Sequence, residues 1–295
     1  MPLTPVPELL HHALVHGYAV GYFESWSIDS LHGVIDAAEQ SHASVIIGFN
    51  GEFMSQPSRI VHERLSWYGA LGRAAAESAS VPCGFIFNEC SQSEWVSSAV
   101  KAGFNLVMPV AAEGESSASY IARVQKVTEY AHRHGVAVEA ELGTLPHGES
   151  EGQLTDPQAA AAFVAATGID ILAVSVGNVH VLLEGQRDLD LDLLRAISEK
   201  VQIPLALHGG TGISGDTLAK AIPLGVAKVN YGTFLKQRYL KAVRKALNSD
   251  QADPHRLLGM GGPEDVMVAG RHAVKEAVIE KMFLLGCCGR TTVHD

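Results

Sequence analysis

The sequence is poor in the features that mark secreted, membrane-spanning and disulfide-rich proteins. Its four cysteines form neither a disulfide framework nor a pair of CxxC zinc motifs. No apolar run approaches the ~20 residues that a membrane span needs, and the proline-rich N-terminus lacks a signal-peptide pattern. We therefore expect a soluble, cytoplasmic protein with reduced thiols.

Positive charge is also scarce. The formal net charge is −10, which argues against a nucleic-acid backbone or an anionic membrane as the main partner. An anionic small-molecule substrate would have to be held by local groups. With 295 residues and 47% hydrophobic content, the chain can bury either one barrel-sized core or two smaller ones.

Short apolar runs alternate with alanine-rich stretches of helical spacing, which is typical of parallel α/β folds. The expected strands are 19–23, 44–49, 82–88, 106–110, 137–142, 171–176, 204–209 and 228–232. The expected helices between them are 30–41, 59–80, 91–103, 118–135, 156–168, 190–200 and 214–225. This pattern predicts a (β/α)8 TIM barrel in a single domain, 1–295. A doubly wound sheet is the alternative, but no glycine-rich turn follows the first strand.

The segment after about Phe234 differs from the repeating pattern. It predicts a long basic helix, a glycine-rich turn at 259–262 and a final helix. We expect these C-terminal helices to dock on the barrel or on a partner subunit.

Polar side chains fall at the carboxyl ends of the expected strands, where barrel enzymes build their active sites. They are Asn88, Glu89, Glu139, Glu141, His180, His208 and Asn230. His180 and His208 follow neighbouring strands and could place two imidazoles on one cation. Taken singly, a histidine is more often a hydrogen-bonded structural residue than a metal ligand.

Two glycine-rich segments follow the last two strands, at the usual phosphate position of barrels. One contains Gly209, Gly210 and Thr211, and the other contains Asn230, Gly232 and Thr233. Glycines let backbone N–H groups approach an anion, and a following helix adds a favourable dipole. Two tight turns without a ligand remain the alternative.

The same segments resemble the class II fructose- and tagatose-bisphosphate aldolases. The matching pieces are 17–20, 138–143, 167–174, 204–212 and 225–230. The resemblance implies a divalent metal, zinc above all, that polarises the carbonyl of dihydroxyacetone phosphate, with His180 and His208 as ligands. It also implies that Glu149 or Glu151 is a mobile loop base. The expected substrate contacts are Gly209, Gly210, Thr211, Asn230, Gly232 and Thr233.

The resemblance breaks down after the third strand. The family presents an aspartate followed by a metal-binding histidine there, whereas this chain has Asn88 and Glu89. Asn88 cannot act as an acid or base, although its amide can orient a hydroxyl. Glu89 can still bind a metal, which predicts a centre of two imidazoles and one carboxylate, suited to zinc, manganese, cobalt or iron.

Substrate recognition should differ as well, because Val181, Glu184 and Gly232 depart from the family pattern. Three functions stay open: a carbon–carbon lyase acting on an altered ketose phosphate or keto sugar, a metal-dependent sugar epimerase or isomerase, and a non-catalytic barrel that binds a sugar phosphate. A Schiff base on Lys228 is a further alternative. We expect a homodimer or homotetramer with no nucleic-acid or membrane partner.

Overall fold

The strands form a closed parallel barrel. The computed structural model describes residues 3–146, 152–180, 185–248 and 250–291. Each strand pairs with the next in chain order, and the last pairs with the first, which confirms the predicted (β/α)8 barrel. The strands are β1 Val20–Ser25, β2 Val45–Asn50, β3 Cys83–Cys90, β4 Leu106–Pro109, β5 Ala137–Leu142, β6 Ile171–Val174, β7 Leu205–Leu207 and β8 Val226–Tyr231.

Helices cover the outside of the barrel, and their ends follow the expected capping chemistry. The side chains of Asp156 and Asp190 each accept a backbone hydrogen bond at a helix start. The helices are α1 Val6–His16, α2 Ile28–Ser41, α3 Gly51–Ser55, α4 Leu65–Ser78, α5 Ser93–Ala102, α6 Ser117–His132, α7 Pro157–Thr167, α8 Leu191–Val201, α9 Gly215–Ala221, α10 Thr233–Leu247, α11 Pro254–Leu257 and α12 Val266–Leu285.

Helix α1 covers the amino-terminal end of the barrel. The backbone N–H of Thr4 donates to the carbonyl of Cys83 at the start of β3, and Val6 packs beside Gly84. Leu9 and Leu10 on this helix are fully buried. The opposite end, where the strands finish, is therefore the end left open for a site.

The C-terminal segment forms the predicted long helix, glycine-rich turn and final helix. Helix α12 packs against α2 and α10, and the carbonyl of Leu285 accepts a hydrogen bond from the N–H of Ala19. Asp265 joins the turn to α12 by accepting from the N–H groups of Gly259 and Gly261. None of the helices in the described ranges has the length and apolar character needed to cross a membrane.

Several element boundaries differ from the sequence prediction. The seventh strand ends at Leu207, not at residue 209, because Gly209 is left-handed, with φ of 67°. The helix expected over 59–80 begins only at Leu65, and a short helix, α3, follows β2 where none was expected. Asn50 caps that helix by accepting a hydrogen bond from the N–H of Phe53.

We predict that Gly33→Ala destabilises the protein. A Cβ at Gly33 would lie 2.7 Å from the carbonyl oxygen of Arg271, where α2 crosses α12. Separating the helices should cost about 1–3 kcal/mol, which exceeds the helix propensity gained, at most about 1 kcal/mol. The midpoint of urea unfolding should fall. Gly262→Ala, in open space, is the control. Equal midpoints for the two variants would show that this crossing is not tight.

Candidate metal centre and active site

A cavity of about 120 Å³ lies at the carboxyl ends of the strands. Its lining includes six predicted site residues besides the metal-binding set: Asn88, Gly209, Thr211, Asn230, Gly232 and Thr233. A larger cavity of about 760 Å³ lies on the side of β4 and β5, and His180 borders both. The structure therefore brings together side chains that are more than a hundred residues apart in the chain.

A bulge in β3 positions Asn88 and Glu89. The pairing of β3 with β4 advances from Phe87 to Cys90 on one strand but only from Val107 to Pro109 on the other. Glu89 has a φ of 53°, which is rare for a residue with a side chain. Successive strand residues normally face opposite sides, and a bulge changes this alternation. Both Asn88 and Glu89 consequently line the same cavity.

The three predicted metal ligands converge. Ligand atoms of Glu89, His180 and His208 all lie within 4.8 Å of one another. Glu89 Oε1 is 2.9 Å from His208 Nδ1 and 3.3 Å from His180 Nε2. Two imidazoles and one carboxylate are a donor set that suits a divalent ion such as zinc. The residues present therefore fit the metal that the sequence predicts.

A buried ion pair supports His208 from inside the barrel. His208 Nε2 lies 3.0 Å from Glu139 Oε1, and Lys228 Nζ lies 2.8 Å from Glu139 Oε2. Glu139 and Lys228 are both fully buried. A carboxylate behind an imidazole holds the proton on that side of the ring, which leaves Nδ1 of His208 as the atom facing the ligand cluster.

The charges in this cluster depend on one another. Burial would raise the pKa of Glu89, but hydrogen bonds with His180 and His208 lower it well below its ordinary value. Burial lowers the pKa of His208, yet its contacts with Glu139 and Glu89 raise it to about 9. Both carboxylates are thus ionised, and they hold a proton on His208 that a bound cation would displace.

Lys228 is not placed as a nucleophile. Its Nζ is 2.6 Å from Asn230 Oδ1 in addition to its contact with Glu139, and the side chain is fully buried. Burial lowers the pKa of Lys228, although Glu139 opposes this shift. The geometry therefore makes Lys228 a structural counter-ion for Glu139.

Two asparagines that sequence reasoning missed hold the ligands in position. Asn50 Nδ2 donates a hydrogen bond of 2.7 Å to Glu89 Oε2, which leaves Oε1 facing the histidines. Asn178 Nδ2 donates to the carbonyl oxygen of His208 at 3.0 Å. Asn50 is the last residue of β2, and it pairs with Asn88 near the end of β3. Its position at a strand end is the sequence feature that could have identified it as a site residue.

Gly209 allows the two histidine-bearing loops to touch. A Cβ on Gly209 would lie 1.9 Å from the carbonyl oxygen of Val179, next to His180. Thr211, Asn230 and Thr233 line the cavity as predicted residues, whereas Gly210 packs against the ring of Tyr231. Their contact with a phosphate remains a prediction.

Glu149 and Glu151, the loop bases expected from the sequence, lie outside the described residues. Val181 and Glu184 lie outside them as well. Besides Asn50, five further residues line the cavity although the sequence did not single them out: Tyr22, Glu24, Phe53, Tyr231 and Lys236. Glu24 ends β1 beside Ser25, so its position at a strand end could have revealed it.

Comparison with known proteins agrees with this geometry. The profile of the family described as "Fructose-bisphosphate aldolase class-II" matches residues 4–290. The chain belongs to this family. It is 35% identical to a Bacillus subtilis (strain 168) protein named "Probable fructose-bisphosphate aldolase", over 97% of this chain and 98% of that one. A Staphylococcus aureus (strain Mu50) protein named "Fructose-bisphosphate aldolase" is 34% identical, over 98% and 99% of the two chains.

A solved structure is similar along its whole length. The crystal structure of the YdjI aldolase from Escherichia coli K12 has a TM-score of 0.83 and 31% identity, covering 99% of this chain and 100% of that one. Membership of the class II aldolase family supports an aldolase function, that of a carbon–carbon lyase.

We predict that Asn50→Ser weakens metal binding. Serine can still cap α3, but it is too short to donate to Glu89, so the ligand carboxylate loses its orientation. Loss of such an outer contact costs about 10–100-fold in metal affinity. Competition with a chromogenic chelator measures this change. Asn248→Ser, at the end of α10, is the control. Unchanged affinity in Asn50→Ser would remove Asn50 from this role.

Proposed function

We propose that this protein is a metal-dependent aldolase that breaks and forms the carbon–carbon bond next to a ketose carbonyl, with a substrate altered from the usual ketose bisphosphate. The observation that carries the proposal is the convergence of Glu89, His180 and His208 at the open end of the barrel. Glu89 replaces the histidine of the family pattern, so the centre keeps three donors.

The chain's own residues would prepare the site before substrate binds. Glu139 and Lys228 fix the ring of His208, and Asn50 fixes Glu89. A divalent ion held by these ligands would polarise the carbonyl of the substrate and stabilise the negative charge of an enediolate. We propose zinc, with manganese, cobalt or iron as alternatives.

Proton movement must differ from the family pattern. Asn88 Oδ1 accepts a hydrogen bond of 3.4 Å from Asn230 Nδ2, so the amide N–H groups of Asn88 remain available to orient a substrate hydroxyl. An amide cannot take the proton of that hydroxyl. Glu149 or Glu151 would be the group that moves the proton next to the carbonyl.

A sugar epimerase or isomerase is the second candidate, and Asn88 is the observation that favours it. An enediolate can be reprotonated without an acid or base at position 88, whereas aldol cleavage needs the proton of a hydroxyl to be removed. A product assay separates the two functions, because only a lyase yields two shorter fragments.

We predict that the metal is lost when its ligands are removed. Elemental analysis of protein purified without chelator should find a divalent metal in the wild type and much less in His208→Ala. Because His208 is buried, His180→Ala in the half-exposed loop is a second variant with less risk to folding. His134→Ala, at an exposed position after α6, is the control. Equal metal content in all four proteins would exclude this centre.

We predict that Asn88→Asp raises the rate of carbon–carbon cleavage. The carboxylate would supply the missing acid–base group, and such groups contribute about 10²–10⁴-fold to rates. We expect an increase of at least about tenfold, because a second carboxylate beside Glu89 is partly disfavoured. A coupled assay of fragment release measures it, with Asn248→Asp as the control. If cleavage is unchanged while α-proton exchange continues, the epimerase function is favoured.

A further inference from the structure

Glu24 places a buried carboxylate in the wall of the cavity. The residue lies on β1 and is only 8% exposed. Its Oε1 lies 2.5 Å from Nζ of Lys236 on the first turn of α10. The carboxylate lines the same cavity as Glu89 and His180 of the proposed metal centre.

The same carboxylate takes the space of a side chain at position 232. A Cβ on Gly232 would lie 2.2 Å from Glu24 Oε2. The φ of Gly232 is −127°, outside the left-handed region that favours glycine. Glu24 therefore occupies the space that a side chain at position 232 would need, and β1 supplies the polar group at this end of the cavity.

Glu24 also pairs with Lys236, the cation of this cavity wall that could otherwise bind an anionic substrate. Lys236 Nζ is paired with Glu24 and lies 4.5 Å from the centre of the Phe53 ring. The N-terminus of α10 begins directly after Gly232, where the carboxylate is packed. A phosphate at this position would meet a buried negative charge in a low-dielectric environment, which is strongly unfavourable.

Tyr22 supplies a hydrogen-bond donor beside this acceptor. Tyr22 and Glu24 are two residues apart on β1, so their side chains share one face. The hydroxyl of Tyr22 is buried and has no hydrogen-bond partner within the described part of the chain. Burial raises the pKa of Tyr22 well above its ordinary value, so the hydroxyl stays protonated. A buried donor without a partner calls for a ligand or a water.

We propose that Tyr22, Glu24 and Lys236 form a subsite for an uncharged, hydroxyl-bearing end of the substrate, and that Glu24 excludes phosphate from it. A substrate hydroxyl would donate to Glu24 and accept from Tyr22. This inference rests on the proposed metal-dependent enediolate chemistry and adds to it the chemical class of one substrate end: a free sugar hydroxyl in place of a phosphate.

The test compares two ketones that differ only by phosphate. Exchange of the α-proton in deuterated water, followed by proton NMR, gives kcat/KM for dihydroxyacetone and for dihydroxyacetone phosphate. Wild-type protein loaded with zinc should prefer dihydroxyacetone. Glu24→Gln, which keeps the shape but removes the charge, should shift the ratio toward the phosphate at least about tenfold. A wild type that prefers the phosphate, or a ratio that Glu24→Gln leaves unchanged, overturns the inference.

Glu280→Gln is the matched control. Glu280 on α12 pairs with Arg238 on α10 and does not line the cavity, so this change removes one negative charge from a more exposed ion pair near the same helix. The ratio for this variant should equal that of the wild type. A shift as large as that of Glu24→Gln would mean that overall charge, and not the subsite, controls the preference.

If neither ketone exchanges its α-proton, that result counts against the proposed function. A binding measurement then still tests the subsite. Titration calorimetry with inorganic phosphate should show binding to Glu24→Gln at least about tenfold tighter than to the wild type. Equal binding overturns the phosphate exclusion whatever the catalytic result.

Discussion

The contact on which the candidate site depends is the buried hydrogen bond between Glu139 and His208. Glu139 is fully enclosed and can remain ionised only because Lys228 and His208 both face it. This arrangement fixes which ring nitrogen of His208 is turned toward Glu89 and His180. A packed ion pair inside the barrel therefore sets the geometry of a centre at its rim.

The changes from the family pattern form a connected set. Glu89 brings a carboxylate where a histidine is usual, and a carboxylate has a second oxygen that needs a donor. Asn50 is that donor. Glu24 similarly lies where a side chain at Gly232 would otherwise be, and Lys236 balances its charge. Glu89 and Glu24 thus each have a partner whose chemistry matches, as buried polar groups require.

The packing contacts that stabilise the barrel and the candidate site residues lie in different parts of the structure. Helix α1 covers the amino-terminal end with apolar side chains, and α12 crosses α2 at the small residue Gly33. The bulge at Glu89 and the left-handed Gly209 occur at the opposite end, where the strands finish. The left-handed conformation of Glu89, which is rare for a residue with a side chain, thus lies among the candidate site residues, where such strain is commonly kept.

The sequence by itself determined the barrel, because the alternation of strands and helices is a local pattern. From polar residues at strand ends and the family resemblance it also predicted Glu89, His180 and His208 as metal ligands, and the structure brings these three side chains together. It did not reveal that Glu24, Asn50 and Tyr22 belong to the site. Register, bulges and helix crossings decide which side chains meet across the barrel, and these depend on contacts between residues far apart in the chain. The pairing of Glu24 with Gly232 is such a contact, so only the tertiary structure could show it.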